Sequence, residues 1–366
     1  MRILFHTPLK PPDHPVPSGD REMARGLLRL LARLGHRVVM PPSSRVPAGV
    51  PSPAEQLAHE RRARVQARHL VERWRALPPR HPERFDLWFT YHSYYRKPDW
   101  LGPIVSRATG VPYVLAEASH SLRRAQGTTR LGHRGAERAL AAADLVLTVN
   151  PRDVAGVRSR LRVGARQRWL PPFVDTAPFL AAPHGANDPP VLLAVGMMRA
   201  RDKLESYRVL AQALARLLDR SWRLAVVGDG PARGQVEAAM ACLGDRVRFH
   251  GVAARAALPA LYGAADIYLW PAINEAYGMA FLEAQACGLP VVAGRSGGVP
   301  AVVADGTTGI LVPPGDVAAF ERATRRLLDD PLLRREMGLA AARRVRAHHS
   351  ESVAARALAA ALGAFA

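Results

Sequence analysis

Two glutamates eight positions apart, Glu275 and Glu283, are the residues of this chain best placed by type and spacing to hold a polar ligand. Before them lies Ile267-Tyr-Leu-Trp270, a short apolar and aromatic run. It stops at Pro271, as a buried strand should, because proline cannot donate to a ladder. From about Gly278 the residues favour a short helix with Met279, Leu282 and Ala286 on one face. Gly288-Leu-Pro290 ends that helix before the apolar strand Val291-Val-Ala293. The spacing therefore predicts a strand-loop-helix-strand unit with Glu275 in its loop. In an open parallel sheet, ligands bind beyond the carboxyl ends of the strands, and a helix starting there offers free N–H groups and a positive dipole end to an anion. Taken singly, each glutamate also has a plainer reading: Glu275 complements the helix dipole, and Glu283 is a solvated flank of the helix.

With the run Ala284-Gln-Ala-Cys-Gly-Leu-Pro-Val-Val-Ala293 that follows it, the pair resembles the E-x7-E signature of retaining GT-B glycosyltransferases, most closely the family 4 group. That resemblance implies an α/β fold of two Rossmann-like doubly wound domains facing across a cleft. It also implies transfer of a sugar from a nucleotide-diphosphate sugar to a hydroxyl acceptor, without cofactor or metal. In the same terms Glu283 would hold the ribose hydroxyls and Glu275 the transferred sugar. The backbone at Gly278 and Met279 would take the diphosphate. Lys203 matches the family's lysine, while its arginine position is occupied by Met197, so Arg199 would have to reach in. Val252, in the segment after Val247-Arg-Phe-His-Gly251, would meet the base through backbone atoms.

These residues need elements to position them. Met1-Arg-Ile-Leu-Phe5 reads as a first strand, then a Pro-rich loop, then a helix carrying Met23, Leu27, Leu28, Leu30, Leu31 and Leu34. Gly19, at the start of that helix, is either a close approach to donor phosphate, as the resemblance implies, or a structural helix-start glycine. A Pro/Ser loop is expected over 41–53. Residues 54–77 form an Arg-rich helix whose apolar members are Leu57, Val65, Leu70, Val71 and Trp74. Such a helix either rests on an anionic membrane or simply carries a solvated basic face. The run Tyr91-His-Ser-Tyr-Tyr-Arg-Lys-Pro98 is read as an acceptor-side loop, because aromatic faces and polar edges suit sugar rings. After the strand Val111-Pro-Tyr-Val-Leu115, the resemblance implies a group near the sugar's anomeric carbon, for which Glu117 and His120 are alternatives. Asp153 stands in the first turn of a further helix.

The organisation expected is a first domain over 1–175, a linker over 176–190, a nucleotide-sugar-binding domain over 191–345, and a final helix over 346–366 packing back on the first domain. At 366 residues the chain is long enough for two ordinary domains. No apolar run approaches the ~20 residues that span a bilayer, so the expected location is cytoplasmic, with peripheral membrane contact as the alternative. Cys242 and Cys287 are isolated and indicate neither a disulfide framework nor a zinc site.

The net charge of +20 would suit nucleic acid, an anionic surface or an anionic substrate. All but Lys10, Lys97 and Lys203 of the 51 basic residues are arginine, a bias that fits a GC-rich genome better than selected phosphate contacts. No aromatic-interleaved basic motif accompanies it, so nucleic acid is not the expected partner. The partners that the family resemblance implies are a nucleotide-diphosphate sugar and a sugar or lipid-linked acceptor of cell-surface polysaccharide or glycolipid synthesis. The rivals are a catalytically silent sugar-nucleotide binder and a nicotinamide oxidoreductase. The second would want a complete glycine fingerprint, and position 233, where the third glycine belongs after Gly228 and Gly230, is arginine.

Overall fold

The structure, a computed structural model, describes residues 1–41, 51–180 and 187–365. Parts of the expected 41–53 loop and 176–190 linker lie outside them. The chain divides into two compact units, Met1–Pro171 with Ala354–Ala366, and Pro172–Val353.

The first unit is built on a parallel sheet of β1 (Arg2–His6), β2 (Arg37–Val39), β3 (Leu87–Ser93), β4 (Tyr113–Ala118), β5 (Leu145–Thr148) and β6 (Arg166–Trp169), in the order β2-β1-β3-β4-β5-β6. Its crossover helices include α1 (Gly19–Arg33), α2 (Pro53–Ala76), α3 (Gly102–Thr109), α4 (Arg130–Ala142) and the short α5 (Val154–Arg158). The strands read as nearly unbroken apolar runs because both faces are covered. Ile3, Phe5, Trp88, Phe89, Val114, Leu115 and Val146 are fully buried. The order in which successive strands are added reverses between the parallel neighbours β1 and β3, the switch point of this sheet.

Helix α2 buries only the later part of its apolar set, Leu70, Val71 and Trp74 packing on the core. Leu57 and Val65 are exposed, whereas Gln56, Glu60, Ala63, Ala67 and Val71 are buried. The reason is polar pairing with α4 and the turn before it. Gln56 donates to the Thr128 carbonyl at 2.8 Å and accepts from Gly132 N–H at 2.7 Å. Glu60 pairs with Arg64 and Arg138 at 2.8 and 3.0 Å. A satisfied buried polar network can displace a greasy stripe from the inside face. β3 and β4 also run further than expected, so Tyr91, His92 and Glu117 are strand residues rather than loop residues.

The second unit carries β7 (Val191–Val195), β8 (Arg223–Val227), β9 (Val247–Gly251), β10 (Ile267–Trp270), β11 (Val291–Gly294) and β12 (Gly309–Val312), all parallel, in the order β12-β11-β10-β7-β8-β9. Helix α6 (Ala177–Leu180) precedes β7, and α7 (Asp202–Ala215), α8 (Arg233–Met240), α9 (Leu258–Gly263) and α10 (Met279–Ala286) lie between its strands. The first three strands run outward on one side and the last three on the other. The switch therefore falls between β7 and β10, whose carboxyl ends feed α7 and α10. Among the described residues no helix is long and apolar enough to cross a membrane.

Candidate functional site

The side chains that follow β7 and β10 meet at that switch. Lys203, in the first turn of α7, brings its Nζ to 2.5 Å from Glu275 Oε2. Trp270 ends β10 and donates its indole N–H to the same carboxylate oxygen at 3.1 Å, while its ring lies 5.0 Å from the Lys203 ammonium. Glu275 is thus held by a cation and an indole, and Lys203 by a carboxylate and an aromatic face. Both remain partly open, with side-chain exposures of 33% for Lys203 and 16% for Glu275.

The loop between Trp270 and α10 is shaped by costly backbone. Ala272 and Asn274 both have positive φ, at 56° and 52°, a region that L-residues other than glycine enter only when the surroundings force it. Asn274 Nδ2 donates to Asp202 at 2.8 Å, Ile273 N–H to Ser206 Oγ at 3.0 Å, and Glu275 N–H to Ser296 Oγ at 3.2 Å. Gly297 closes the arrangement from the other side. A Cβ there would sit 1.7 Å from the Glu275 carbonyl oxygen, so only glycine permits the approach. Gly298 N–H donates to the Ala276 carbonyl. Gly278, with φ 73°, is the N-cap of α10, and no side chain caps the helix. Among the described residues the amides of Met279 and Ala280, both half-buried, therefore have no intrahelical acceptor, while the Phe281 N–H bonds back to the Gly278 carbonyl at 3.1 Å.

Glu283 lies a little over one turn further along α10, and it is not a solvated flank, being only 4% exposed. The Tyr262 hydroxyl of α9, itself fully buried, donates to Glu283 Oε2 at 2.9 Å, and Arg255 pairs with Oε1. Burial, with the nearby Glu283 charge adding, pushes the Tyr262 hydroxyl well above its ordinary pKa, so it stays a donor. Arg255 is about one-third exposed and spans from this carboxylate to the Phe179 ring. The buried end of Glu283 is thereby fixed by tyrosine, and its other oxygen faces a cation that reaches solvent.

The remaining residues expected in this unit stand differently. Arg199 is exposed on the turn after β7, and among the described residues it has no ion-pair partner. Met197 is half-buried on the same turn. Val252 is 58% exposed just past β9.

In the first unit a second group of ionisable side chains gathers at the β1/β3 switch. His92, near the end of β3, places Nδ1 3.1 Å from Asp20 Oδ1 in the first turn of α1. The contact is close but poorly aligned for a hydrogen bond. Burial opposes the His92 charge, yet Glu117, Asp20 and Asp153 together overcome it and raise the ring to about 9. Asp153 is pushed up to about 6 by burial and by Glu117, against the pull of His92. Both His92 and Glu117 have positive φ, at 61° and 57°. Gly19 is exposed at the first position of α1, behind the Ser18 cap. His120 is not part of this group. Its ring turns to α4, with Nε2 3.1 Å from Glu137 and 3.2 Å from Arg160 Nε.

Sequence reading gave no site role to Tyr262, Arg255 and Ser296 beside the two glutamates or to Asp20 in the first unit, took Trp270 only as a strand end, and had His92 only as part of the acceptor-side run. The signal available was position: Trp270 and His92 stand at the carboxyl ends of β10 and β3, and Ser296 just after β11.

Two Rossmann-like units, each with charged groups at its switch point, define the GT-B class. The protein is similar over 98% of its length to the sucrose-phosphate synthase of Thermosynechococcus elongatus, with a TM-score of 0.75 at 24% identity and 98% of that chain covered. HepE of Anabaena, solved with UDP-glucose, matches over 100% of both chains with a TM-score of 0.70 at 18% identity. Residues 189–330 match the model of the family described as glycosyl transferases group 1. The GDP-mannose-dependent alpha-(1-6)-phosphatidylinositol monomannoside mannosyltransferase of Mycolicibacterium smegmatis is 33% identical over 66% of this chain and 67% of its own length. The 2-deoxystreptamine glucosyltransferase of Streptomyces kanamyceticus is 33% identical over 63% of this chain, and the match covers 65% of that relative. The chain belongs to the group 1 glycosyl transferases.

Proposed function

We propose that the protein is a retaining, metal-independent glycosyltransferase that moves a sugar from a nucleoside-diphosphate sugar to a hydroxyl of a sugar or lipid-linked acceptor. The observation that carries this reading is the meeting of Lys203, Glu275 and the open N-terminus of α10 at the β7/β10 switch. Charge develops on the departing diphosphate as the bond to the sugar breaks. Preorganised donors aimed at that charge are the largest catalytic contribution available. Lys203 supplies a cation, the amides of Gly278 and Met279 supply dipoles, and Arg199 is free to fold over the same anion. Glu275, held by Trp270, orients both Lys203 and the sugar.

Glu283 accepts the ribose hydroxyls once Arg255 yields its oxygen, and the backbone near Val252 borders the base. In a front-face reaction the acceptor oxygen bonds to the anomeric carbon on the side from which the phosphate oxygen leaves. The acceptor's proton passes to that phosphate oxygen, and configuration is retained. Within the first unit, Glu117 stands with His92, Asp20 and Asp153, a polar group suited to an acceptor hydroxyl. The relatives whose names specify 2-deoxystreptamine and a phosphatidylinositol mannoside support a polyhydroxylated acceptor, and cell-surface glycolipid or polysaccharide synthesis is the setting we favour.

The test is a thermal-shift screen of nucleotides and nucleotide sugars, followed by hydrolysis and transfer assays with the donors that bind. Binding with turnover supports the reading. Binding without turnover to any acceptor or to water would leave a silent binder, and no binding at all would end the proposal.

A further inference from the structure

Apart from both switch points, the first unit brings two imidazoles and a carboxylate together on rigid elements. His133 and Glu137 stand one turn apart on the same face of α4, and His120 reaches them from the segment just after β4. One ligand atom from each lies within 4.8 Å of the others. Glu137 Oε1 is 3.1 Å from His120 Nε2 and 3.4 Å from His133 Nε2. Ligand bonds of about 2.0–2.1 Å in tetrahedral geometry put neighbouring donor atoms about 3.3 Å apart, so two edges of a coordination polyhedron already stand at their bound lengths.

Three further facts point to a cation rather than to a closed network. His133 is 4% exposed, and among the described residues its Nε2 has no hydrogen-bond partner, being near Glu137 but misaligned with it. A buried ring nitrogen in that condition costs free energy that an ion would recover. The place of the cation is taken by Arg160, whose Nε lies 3.1 Å from Glu137 and 3.2 Å from His120, but that guanidinium is 38% exposed and able to swing out. His120 is held from behind, since Gly156 packs so closely that a Cβ would lie 2.7 Å from the His120 carbonyl oxygen. The donor atoms are therefore presented by packed backbone rather than by a free loop.

We propose that His120, His133 and Glu137 form a site for one divalent transition-metal ion, of the zinc, cobalt or nickel type, which enters by displacing Arg160. Two imidazoles and a carboxylate suit such ions better than magnesium or calcium, which prefer all-oxygen shells. The three protein ligands leave a fourth position to water. The ion takes no part in sugar transfer. It ties the segment after β4 to α4 three residues beyond Glu117, so its occupancy stiffens the strand end that carries that carboxylate.

The experiment is calorimetric titration of untagged, chelator-treated full-length protein with zinc or nickel chloride, in a Cys242→Ser background that removes the exposed thiol. The wild-type site takes one equivalent. His120→Gln and His133→Gln each weaken it by about 10–100-fold, the range expected when a site loses a strong donor or its support. Arg160→Ala, which clears the cation already present, tightens it. Because His133→Gln could disturb α4, the cobalt-loaded wild type is also read by visible absorption, where a tetrahedral nitrogen and oxygen site gives intense d–d bands. Affinity unchanged in His120→Gln and His133→Gln, an adventitious ion only, would overturn the proposal, as would weaker binding in Arg160→Ala or a cobalt spectrum matching hydrated ion.

Discussion

Removing the Glu283 carboxylate should destabilise the second unit by an amount set by Tyr262. With Glu283→Ala, the Tyr262 hydroxyl, fully buried and with that carboxylate as its acceptor, is left unpaired. An orphaned buried donor costs about 1–3 kcal/mol. The one lost methylene adds about 1 kcal/mol. The ion pair with Arg255 adds at most about 1 kcal/mol, since that guanidinium is about one-third exposed and returns to water. The sum is about 3 kcal/mol, which for a unit of this size corresponds to roughly 6–12 °C in midpoint.

The decisive perturbation is the double variant. Tyr262→Phe in the Glu283→Ala background deletes the orphan, so the double variant should be more stable than Glu283→Ala alone by about 1 kcal/mol or more. Urea unfolding followed by the fluorescence of Trp222 and Trp270 measures each corner of the cycle. Losses that simply add, with the double variant least stable, would refute the reasoning. The same proteins separate packing from binding. Tyr262→Phe keeps the carboxylate and should leave nucleotide affinity within about threefold, whereas Glu283→Ala should weaken it by roughly 10–150-fold, the worth of about 1.5–3 kcal/mol from hydrogen bonds to a charged acceptor. Equal affinity in the two variants would sink the ribose assignment.

Other consequences are as direct. Lys203→Met should lower kcat by about 10²–10³-fold, the usual loss for one preorganised charge-stabilising donor, with thermal midpoint nearly unchanged; a drop under about threefold would remove Lys203 from the chemistry. Gly297→Ala should lower both turnover and midpoint, because its methyl would stand where the Glu275 carbonyl oxygen is, and wild-type turnover in that variant would show that the loop is not held as described. In the first unit, His92 has its pKa raised from 6.5 to about 9, so the stability it contributes is full below pH 6.5 and lost as pH climbs through 9. Asp153, raised from 3.8 to about 6, acts in the same sense at lower pH, its contribution fading as pH rises through 6. Histidine ring protons followed by NMR should show His92 charged to about pH 9, and a titration near 6.5 would contradict the cluster.

Pattern along the chain was enough for the two Rossmann-like units and for most strand positions, because parallel strands buried on both faces must be continuous apolar runs, and Ile267–Trp270 and Val191–Val195 are such runs. The start of α10 was equally legible from Gly278 and the apolar residues beyond it. Tertiary structure decided the partners. Lys203 and Glu275 are 72 positions apart, and they meet only because β7 and β10 are neighbours at the reversal of strand order. Tyr262 and Arg255 reach Glu283 from α9 and the turn before it, and His92 meets Asp20 across the β1/β3 switch. Local spacing could not show that Glu283 is buried rather than solvated, or that α2 packs by Gln56 and Glu60 rather than by Leu57 and Val65. Periodicity reports which side of an element is greasy, whereas the burial of a polar side chain depends on whether a distant segment arrives to pair with it.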